Sequence, residues 1–151
     1  MKRFKEHWGV IPKVSDREFM TNSIHLPVWI NVTPFEKVDI ESQLTPYSSA
    51  GTIFYSILDS SCDHNIEALE TIVNYAMDKD IAYMGINIKR DQCLDCGHID
   101  EIDEDDCPIC HGKRIMRLRR VTGYLSVDYH QFNYGKQKEV EARVKHNGAT
   151  L

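Results

Sequence analysis

Residues 51–88 carry the clearest structural pattern in the chain and read GTIFYSILDSSCDHNIEALETIVNYAMDKDIAYMGINI. The segment opens with residues 51–58, a nearly continuous run of β-branched and aromatic residues that predicts a buried strand. Asn65 then predicts a helix N-cap, and apolar residues recur at helical spacing up to Met77. Residues 81–88 predict a second strand. Strand, helix and strand with short connections form a βαβ-like unit, so we expect an α/β fold.

The segments on either side are less regular. Four prolines interrupt residues 1–50, and within them Ile24 to Ile30 predicts a short strand, which Pro27 would place at a sheet edge. Residues 113–134 predict an extended segment with a loop. Residues 135–146 predict a charged helix that has little apolar surface and therefore needs a partner or lies on a surface.

Composition limits the class of protein. The 151 residues have a net charge of -5, 42% hydrophobic and 27% charged residues, which is typical of a soluble globular domain. No apolar run approaches the roughly 18 residues that a membrane span needs. The N-terminus lacks the apolar core of a signal peptide, so we expect a cytoplasmic protein that contacts no membrane. Membrane, collagen-like and secreted disulfide-scaffold proteins are thereby excluded.

Four of the five cysteines form two C-x-x-C pairs, Cys93 with Cys96 and Cys107 with Cys110. Two such pairs can direct four sulfurs at one tetrahedral point, which predicts a closed structural Zn(II) site, although the same sulfurs could hold a single iron. Gly97 and Gly112 follow the pairs, where a positive φ would turn backbone amides toward the thiolates. We interpret the remaining cysteine, Cys62, as a free thiol.

Charge is divided at the end of the cysteine pairs. Residues 1–112 carry 9 basic and 20 acidic residues, whereas residues 113–151 carry 9 basic and 3 acidic ones. Six of the eight residues from Ile99 to Asp106 are acidic, and such a loop would repel phosphates. The basic segment that follows leaves four roles open: it could bind nucleic acid, offset the negative metal centre, dock an acidic partner, or form a solvated face.

Several stretches of the chain resemble the C-terminal end of the large subunit of anaerobic (class III) ribonucleoside-triphosphate reductases. They lie in the same order as in that family, and they are residues 21–28, 83–87, 91–93, 120–125, 132–133, 135–137, 139–140 and 143–146. The segment Arg120-Val121-Thr122-Gly123-Tyr124-Leu125 is similar to the family's R-V-x-G-Y-L motif, which carries a glycyl radical. The resemblance implies that Gly123 is the radical residue and that the four cysteines form the zinc site upstream of it.

The resemblance also implies an architecture. Residues 1–90 would supply the closing strands and helix of the family's ten-stranded barrel. Residues 91–112 would form a four-Cys zinc ribbon, and residues 113–151 a glycyl radical loop and terminal helix. Only glycine suits the radical position, because a side chain on a flattened Cα would collide with its neighbours.

A mechanism and a set of partners follow from the same resemblance. A radical-SAM activating enzyme would remove a hydrogen atom from Gly123, and the stored radical would generate a thiyl radical on a cysteine. The thiyl radical would abstract the 3′-hydrogen of a ribonucleotide, after which the 2′-hydroxyl is lost. The assembled enzyme is expected to be a homodimer that acts on ribonucleotides and binds no nucleic acid.

The chain departs from the family in length, since members are several-fold longer, and Cys62 does not lie in the thiyl motif. We therefore expect a C-terminal piece that works with a separate N-terminal piece and is inactive alone. Two alternatives stay open. The chain could be a free-standing spare part for an oxygen-damaged reductase, or a zinc-ribbon binding module without chemistry.

Overall fold

The βαβ unit predicted from residues 51–88 is present in the computed structural model, which describes residues 1–21, 25–121 and 123–146. Strands β1 (Phe54–Leu58) and β2 (Met84–Ile88) are parallel, with Phe54 opposite Met84 and Leu58 opposite Ile88. The crossover is helix α3 (Ile66–Asp78), and the side chain of Asn65 accepts a hydrogen bond from the amide of Ala68 as the predicted N-cap. The α/β prediction is confirmed.

The main core lies on one face of these two strands. Phe54 is buried there with Val38, Ala76 and Ile81. Val38 comes from helix α2 (Pro34–Ser42), which begins with Thr33 as N-cap and Pro34 in its first turn. Proline suits this position because the first amides of a helix have no intrahelical partner. A shorter helix, α1 (Lys2–Trp8), precedes α2 and buries none of its residues.

The strand predicted from Ile24 to Ile30 is wrong for residues 25–30, which form a turn instead. The amide of Ile30 donates to the carbonyl of Pro27 at 3.0 Å, a bond that closes the turn and takes the place of a strand partner. Residues 22–24 lie outside the described part of the chain.

A second, antiparallel sheet contains the cysteine pairs. Its strands are β3 (Arg90–Cys93), β4 (Ile99–Asp100), β5 (Ile115–Val121) and β6 (Tyr124–Ser126), in the spatial order β4-β3-β5-β6. The predicted extended segment of residues 113–134 thus contains β5 and β6. The division of the chain at residue 112 stays a prediction, and β3 and β5 of one sheet lie on either side of it.

The C-terminal helix is shorter than the sequence predicts. Helix α4 (Tyr134–Ala142) begins after its N-cap, Asn133, and residues 143–146 continue in an extended form. The amide of Val144 donates to the carbonyl of Val28 at 3.0 Å, and the amide of His146 donates to Ile57 in β1 at 2.7 Å. These tertiary hydrogen bonds end the helix, because the same amides are no longer available to helical carbonyls.

The six strands of the described residues form one two-stranded and one four-stranded sheet, and these residues do not close a barrel. Two parallel strands cannot surround a core by themselves, so the ten-stranded barrel stays a prediction. None of the helices in the described ranges is long and apolar enough to cross a membrane.

Candidate metal centre and glycine hairpin

The four predicted ligands converge on one point. The sulfurs of Cys93, Cys96, Cys107 and Cys110 all lie within 4.8 Å of one another. The closest pairs are 3.6 Å apart, between Cys93 and Cys110, and 3.7 Å apart, between Cys96 and Cys107. A tetrahedral Zn(II) with Zn–S bonds of about 2.3 Å requires sulfurs roughly 3.8 Å apart. The sulfur set therefore fits zinc, and it fits a single iron equally well.

Each pair sits on a tight backbone turn. The amide of Gly97 donates to the carbonyl of Cys93 at 2.9 Å, and the amide of His111 donates to Cys107 at 2.9 Å. Gly97 has the predicted positive φ of 77°, but in the second turn His111 takes this conformation, with φ 57°. Gly112 is needed for space instead, because a Cβ there would lie 2.3 Å from a carboxylate oxygen of Asp95.

Backbone amides lower the pKa of the cysteine thiols, whereas the neighbouring thiols lower it at Cys93 and raise it at Cys110. Hydrogen bonds from the backbone, chiefly from Cys96, lower the pKa of the Cys93 thiol to about 7. A hydrogen bond from the amide of Gly112 lowers the pKa of the Cys110 thiol. Hydrogen bonds between the Cys110 thiol and the neighbouring thiols, chiefly that of Cys96, outweigh this effect and raise the pKa to about 12. Four crowded sulfurs cannot all ionise without a cation, which is the condition that a bound metal satisfies.

The basic segment after the second pair contacts acidic residues of the same chain. The guanidinium of Arg119 binds Asp91, whose side chain is fully buried, and Arg114 pairs with Asp95. Arg117 donates to the carbonyls of Ile102 and Glu104 in the acidic loop. Arg114, Arg117 and Arg119 thus have partners within the chain, and the four roles that the sequence left open stay predictions.

Gly123 lies at the tip of the β5–β6 hairpin, in which Val121 pairs with Tyr124 and Arg120 with Leu125. Val121 is fully buried, whereas Gly123 is exposed. A Cβ built on Gly123 would meet no heavy atom within 4 Å among the described residues. Thr122 lies outside the described part of the chain.

An open cavity of about 810 Å³ lies in front of Gly123. His25, Tyr55 and Tyr83 line it together with Gly123 and Tyr124, and no cysteine of the described residues does. The two C-x-x-C pairs predicted that the four cysteines converge, as they do, but no motif in the sequence assigned a role to Tyr55 or His25. Tyr55 could have been noticed, because it alternates with the buried Phe54 and Ser56 and so lies on the opposite face of β1.

Comparison with known proteins supports the resemblance. Residues 1–146 match the family model described as anaerobic ribonucleoside-triphosphate reductase. The protein of that name from Escherichia coli is 39% identical to this chain over 149 residues, and the one from phage T4 is 35% identical over 149 residues. Each match covers 93% of this chain. The matched region is 21% of the Escherichia coli protein and 24% of the phage protein, so the chain spans about a fifth to a quarter of its relatives' length.

A solved anaerobic ribonucleotide reductase has a similar fold. It superposes on 99% of this chain and 23% of its own with a TM-score of 0.70 and 21% sequence identity. The Haemophilus influenzae reductase is 40% identical over 147 residues, which are 92% of this chain and 20% of that protein. The sulfur cluster, the hairpin that bears R-V-x-G-Y-L and these matches lead to one conclusion. The chain belongs to the anaerobic ribonucleoside-triphosphate reductase family.

Proposed function

We propose that this chain is the glycyl-radical-bearing C-terminal part of an anaerobic ribonucleoside-triphosphate reductase. In this role it converts ribonucleoside triphosphates to deoxyribonucleoside triphosphates together with an N-terminal part that supplies the rest of the barrel. The match across residues 1–146 to the family, at a fifth of the length of its members, carries this proposal.

The environment of Gly123 supports the radical role. A methyl group would fit at this position without contacting any described atom within 4 Å, so packing gives no reason for glycine. Radical chemistry does give one. A radical on Cα is delocalised over the flanking amide nitrogen and carbonyl when the carbon is planar. Only glycine can become planar there, because any other residue would push its own side chain against its neighbours. The open cavity leaves a hydrogen on this Cα accessible.

Gly123 stores the radical and passes it on. A radical-SAM activase breaks one Cα–H bond homolytically and takes up the hydrogen atom. Gly123 later regains a hydrogen atom from a cysteine thiol of the N-terminal part, which becomes a thiyl radical. That thiyl radical abstracts the 3′-hydrogen of the substrate, the 2′-hydroxyl is protonated and leaves as water, and an external reductant supplies the two electrons that complete the reduction. The protein's contribution to these steps is position and the exclusion of oxygen.

The cysteine cluster has a structural role in this proposal. Zinc bound by Cys93, Cys96, Cys107 and Cys110 has no open position, so it stabilises and does not catalyse. The amide of Leu94 donates to the carbonyl of Arg114 at 2.8 Å, and β5 runs from Ile115 to the hairpin tip. A metal at the cluster therefore fixes the start of β5, and Gly123 follows the other end of this strand.

Incomplete burial supports the need for an N-terminal part. On α3 only Ile72 and Ala76 are buried, while Ile66 is 73% exposed and Met77 66% exposed. An amphipathic helix normally buries its apolar stripe, so further chain is expected to cover this one. A homodimer of the assembled enzyme and a cytoplasmic location belong to the same proposal.

Electron paramagnetic resonance tests the radical role. The chain is incubated anaerobically with an activase and S-adenosylmethionine, with and without the N-terminal part. We expect a doublet that disappears in Gly123→Ala and persists in Gly135→Ala. Gly135 is a matched control, because a Cβ there makes only ordinary contacts of 3.5 Å and longer. If an active activase gives no signal even with the N-terminal part present, the radical role is wrong.

Oxygen offers a second test of the same residue. Air should cleave the activated chain at Gly123, which lies 28 residues before the C-terminal Leu151. Mass spectrometry should then find a peptide of that size, and the Gly123→Ala chain should stay intact. An activity assay distinguishes the split enzyme from the spare part. A split enzyme reduces ribonucleotides when the chain is mixed with its N-terminal part, whereas a spare part restores activity to a cleaved full-length reductase. A zinc-ribbon binding module would do neither.

A further inference from the structure

The two parallel strands have a second face, opposite the one that carries the buried cluster around Phe54. Tyr55 and Gly85 are directly opposite each other on β1 and β2. Because side chains alternate along a strand, they share a face with Ile57 and Asn87 and lie opposite the core residue Phe54. This second face is directed toward the hairpin, since Tyr55 lines the same cavity as Gly123.

Gly85 makes room for the ring of Tyr55. A Cβ built on Gly85 would lie 2.9 Å from both Cδ1 and Cε1 of Tyr55, a separation that real Cβ atoms do not tolerate. Gly85 lies within β2, where the extended backbone accepts any residue, so the backbone does not explain the glycine. One edge of the Tyr55 ring therefore lies across β2 at a place where only glycine allows it.

The other contacts of the ring lead to the hairpin. The Arg120 guanidinium lies over the Tyr55 ring, with its carbon 5.8 Å from the ring centroid. Arg120 is in β5 and pairs with Leu125 of β6, so it belongs to the hairpin that has Gly123 at its tip. The imidazole of His25 meets the ring edge-on, with a centroid distance of 6.3 Å. His25 is in turn held by Glu41, at 3.3 Å.

We propose that Tyr55 is a positioning residue for the Gly123 hairpin, and that Gly85 is the residue that allows it this position. The inference rests on the proposed radical role of Gly123. The ring links β2, His25 and Arg120, and through Arg120 it fixes where the hairpin tip stands at the cavity. Hydrogen abstraction requires such positioning, because the reacting atoms must be held within a fraction of an ångström.

Hydrogen exchange of the 151-residue chain tests the positioning without any radical. Tyr55→Leu removes the ring, and we expect the β6 amides of Tyr124 to Ser126 to exchange at least ten-fold faster. The amides of the cysteine turns should be unchanged, and Tyr55→Phe, which keeps the ring, should behave like the original chain. Tyr47→Leu is the control, because this tyrosine is 83% exposed and lines no part of the cavity. Unchanged β6 exchange in Tyr55→Leu overturns the proposal.

A double-mutant cycle tests the role of Gly85. We expect Gly85→Ala to accelerate β6 exchange in the presence of Tyr55 and to have no further effect in a Tyr55→Ala background, where the ring no longer occupies the space. An equal effect of Gly85→Ala in both backgrounds shows that Gly85 acts independently of the ring and contradicts this part of the proposal.

Radical yield connects the inference to function. After activation, the number of spins per bound zinc should fall at least ten-fold in Tyr55→Leu, whereas Tyr55→Phe should behave like the original chain. Normalising the spin count to bound zinc excludes chains in which the zinc ribbon of residues 91–112 is unfolded. A normal spin yield in Tyr55→Leu overturns the functional part of the proposal. If the original chain gives no radical, the proposed function fails, and the exchange measurements alone decide whether Tyr55 positions the hairpin.

Discussion

Single residues hold the antiparallel sheet and the acidic loop together, and Asp91 in β3 shows how. Its side chain is fully buried, and it accepts hydrogen bonds from the guanidinium of Arg119 and, at 3.2 Å, from the amide of Ile102. Asp91 therefore joins strand β5 to the acidic loop. A buried carboxylate with this many partners stabilises strongly only as long as all of them are present.

Replacing Asp91 by Asn should be costly, because Arg119 then keeps its charge at a largely buried site without a counterion. We expect the free energy of unfolding to fall by about 3 kcal/mol, measured by urea denaturation with zinc present. The control is Glu141→Gln, which removes the more exposed ion pair with Lys138 and should change stability by less than about 0.5 kcal/mol. Equal losses in the two variants would contradict this account of Asp91.

His146 makes the chain sensitive to acid. The residue is 3% exposed, and its Nδ1 accepts a hydrogen bond from the amide of Ile57 at 2.9 Å, which only the unprotonated nitrogen can do. Burial, assisted by the nearby Lys37, lowers the pKa of His146 from 6.5 to about 4. Between these values the unfolded chain binds a proton that the folded chain does not, so stability falls as the pH falls.

The expected loss between pH 6.5 and pH 4 is on the order of 3 kcal/mol. Other groups titrate in the same range, so the measurement is the difference between the chain and His146→Asn, whose side-chain oxygen can accept the same hydrogen bond without titrating. Denaturation curves at several pH values should show a shallower pH dependence for the variant. Parallel pH profiles would mean that His146 does not contribute.

At the level of elements, helix α2 depends on its first turn. Thr33 and Glu36 form a capping box, in which the amide of Glu36 donates to the Thr33 hydroxyl at 3.1 Å and the Glu36 carboxylate accepts from the amide of Thr33 at 2.8 Å. These bonds satisfy amides that have no partner inside the helix. The helix then presents Val38 to the core and Glu41 to His25.

Thr33→Ala removes the cap and should lower the free energy of unfolding by about 1 kcal/mol. Thr71→Ala is the matched control. Thr71 lies inside α3, is exposed and donates only to a carbonyl of its own helix, so alanine should be neutral or slightly stabilising there. Thermal unfolding of both variants checks the prediction, which fails if Thr33→Ala is as stable as Thr71→Ala.

At the scale of the whole molecule, the two sheets have separate sources of stability. The parallel sheet is stabilised by the apolar core around Phe54, whereas the antiparallel sheet contains the turns that bring the four cysteines together. Two of these cysteines, Cys93 and Cys107, are fully buried, so without a metal the antiparallel sheet would contain thiols and ion pairs and little apolar packing. A metal at the cluster is therefore expected to stabilise one sheet more than the other.

Removal of the metal tests this division. We expect one zinc per chain, its loss in Cys96→Ser and its retention in Cys62→Ser, as measured by elemental analysis. In the chelated chain, the amides of β3 and β5 should exchange faster by orders of magnitude, while those of β1 change little. A uniform increase across both sheets would show that the metal holds the whole chain together.

Much of this architecture could be predicted from local patterns. The βαβ unit and its Asn65 cap follow from periodicity and capping chemistry, and the four-sulfur cluster follows from two C-x-x-C pairs with suitable turns. The predictions that were wrong depended on distant partners. Residues 25–30 turn where a strand was expected, and the amide of Leu26 there donates to the Glu41 carboxylate of α2. Helix α4 ends at Ala142 because Val144 and His146 bond to Val28 and Ile57.

The family, the convergence of the four cysteines and the position of Gly123 in its motif could be predicted from the sequence alone, because each is written in short motifs whose residue types and spacing are fixed by chemistry. The surroundings of Gly123 depend on the tertiary fold. The link from Gly85 through the Tyr55 ring to Arg120 joins residues from three strands that lie far apart in the chain. Such contacts depend on how strands pair and on which face a side chain lies, and no local pattern contains that information.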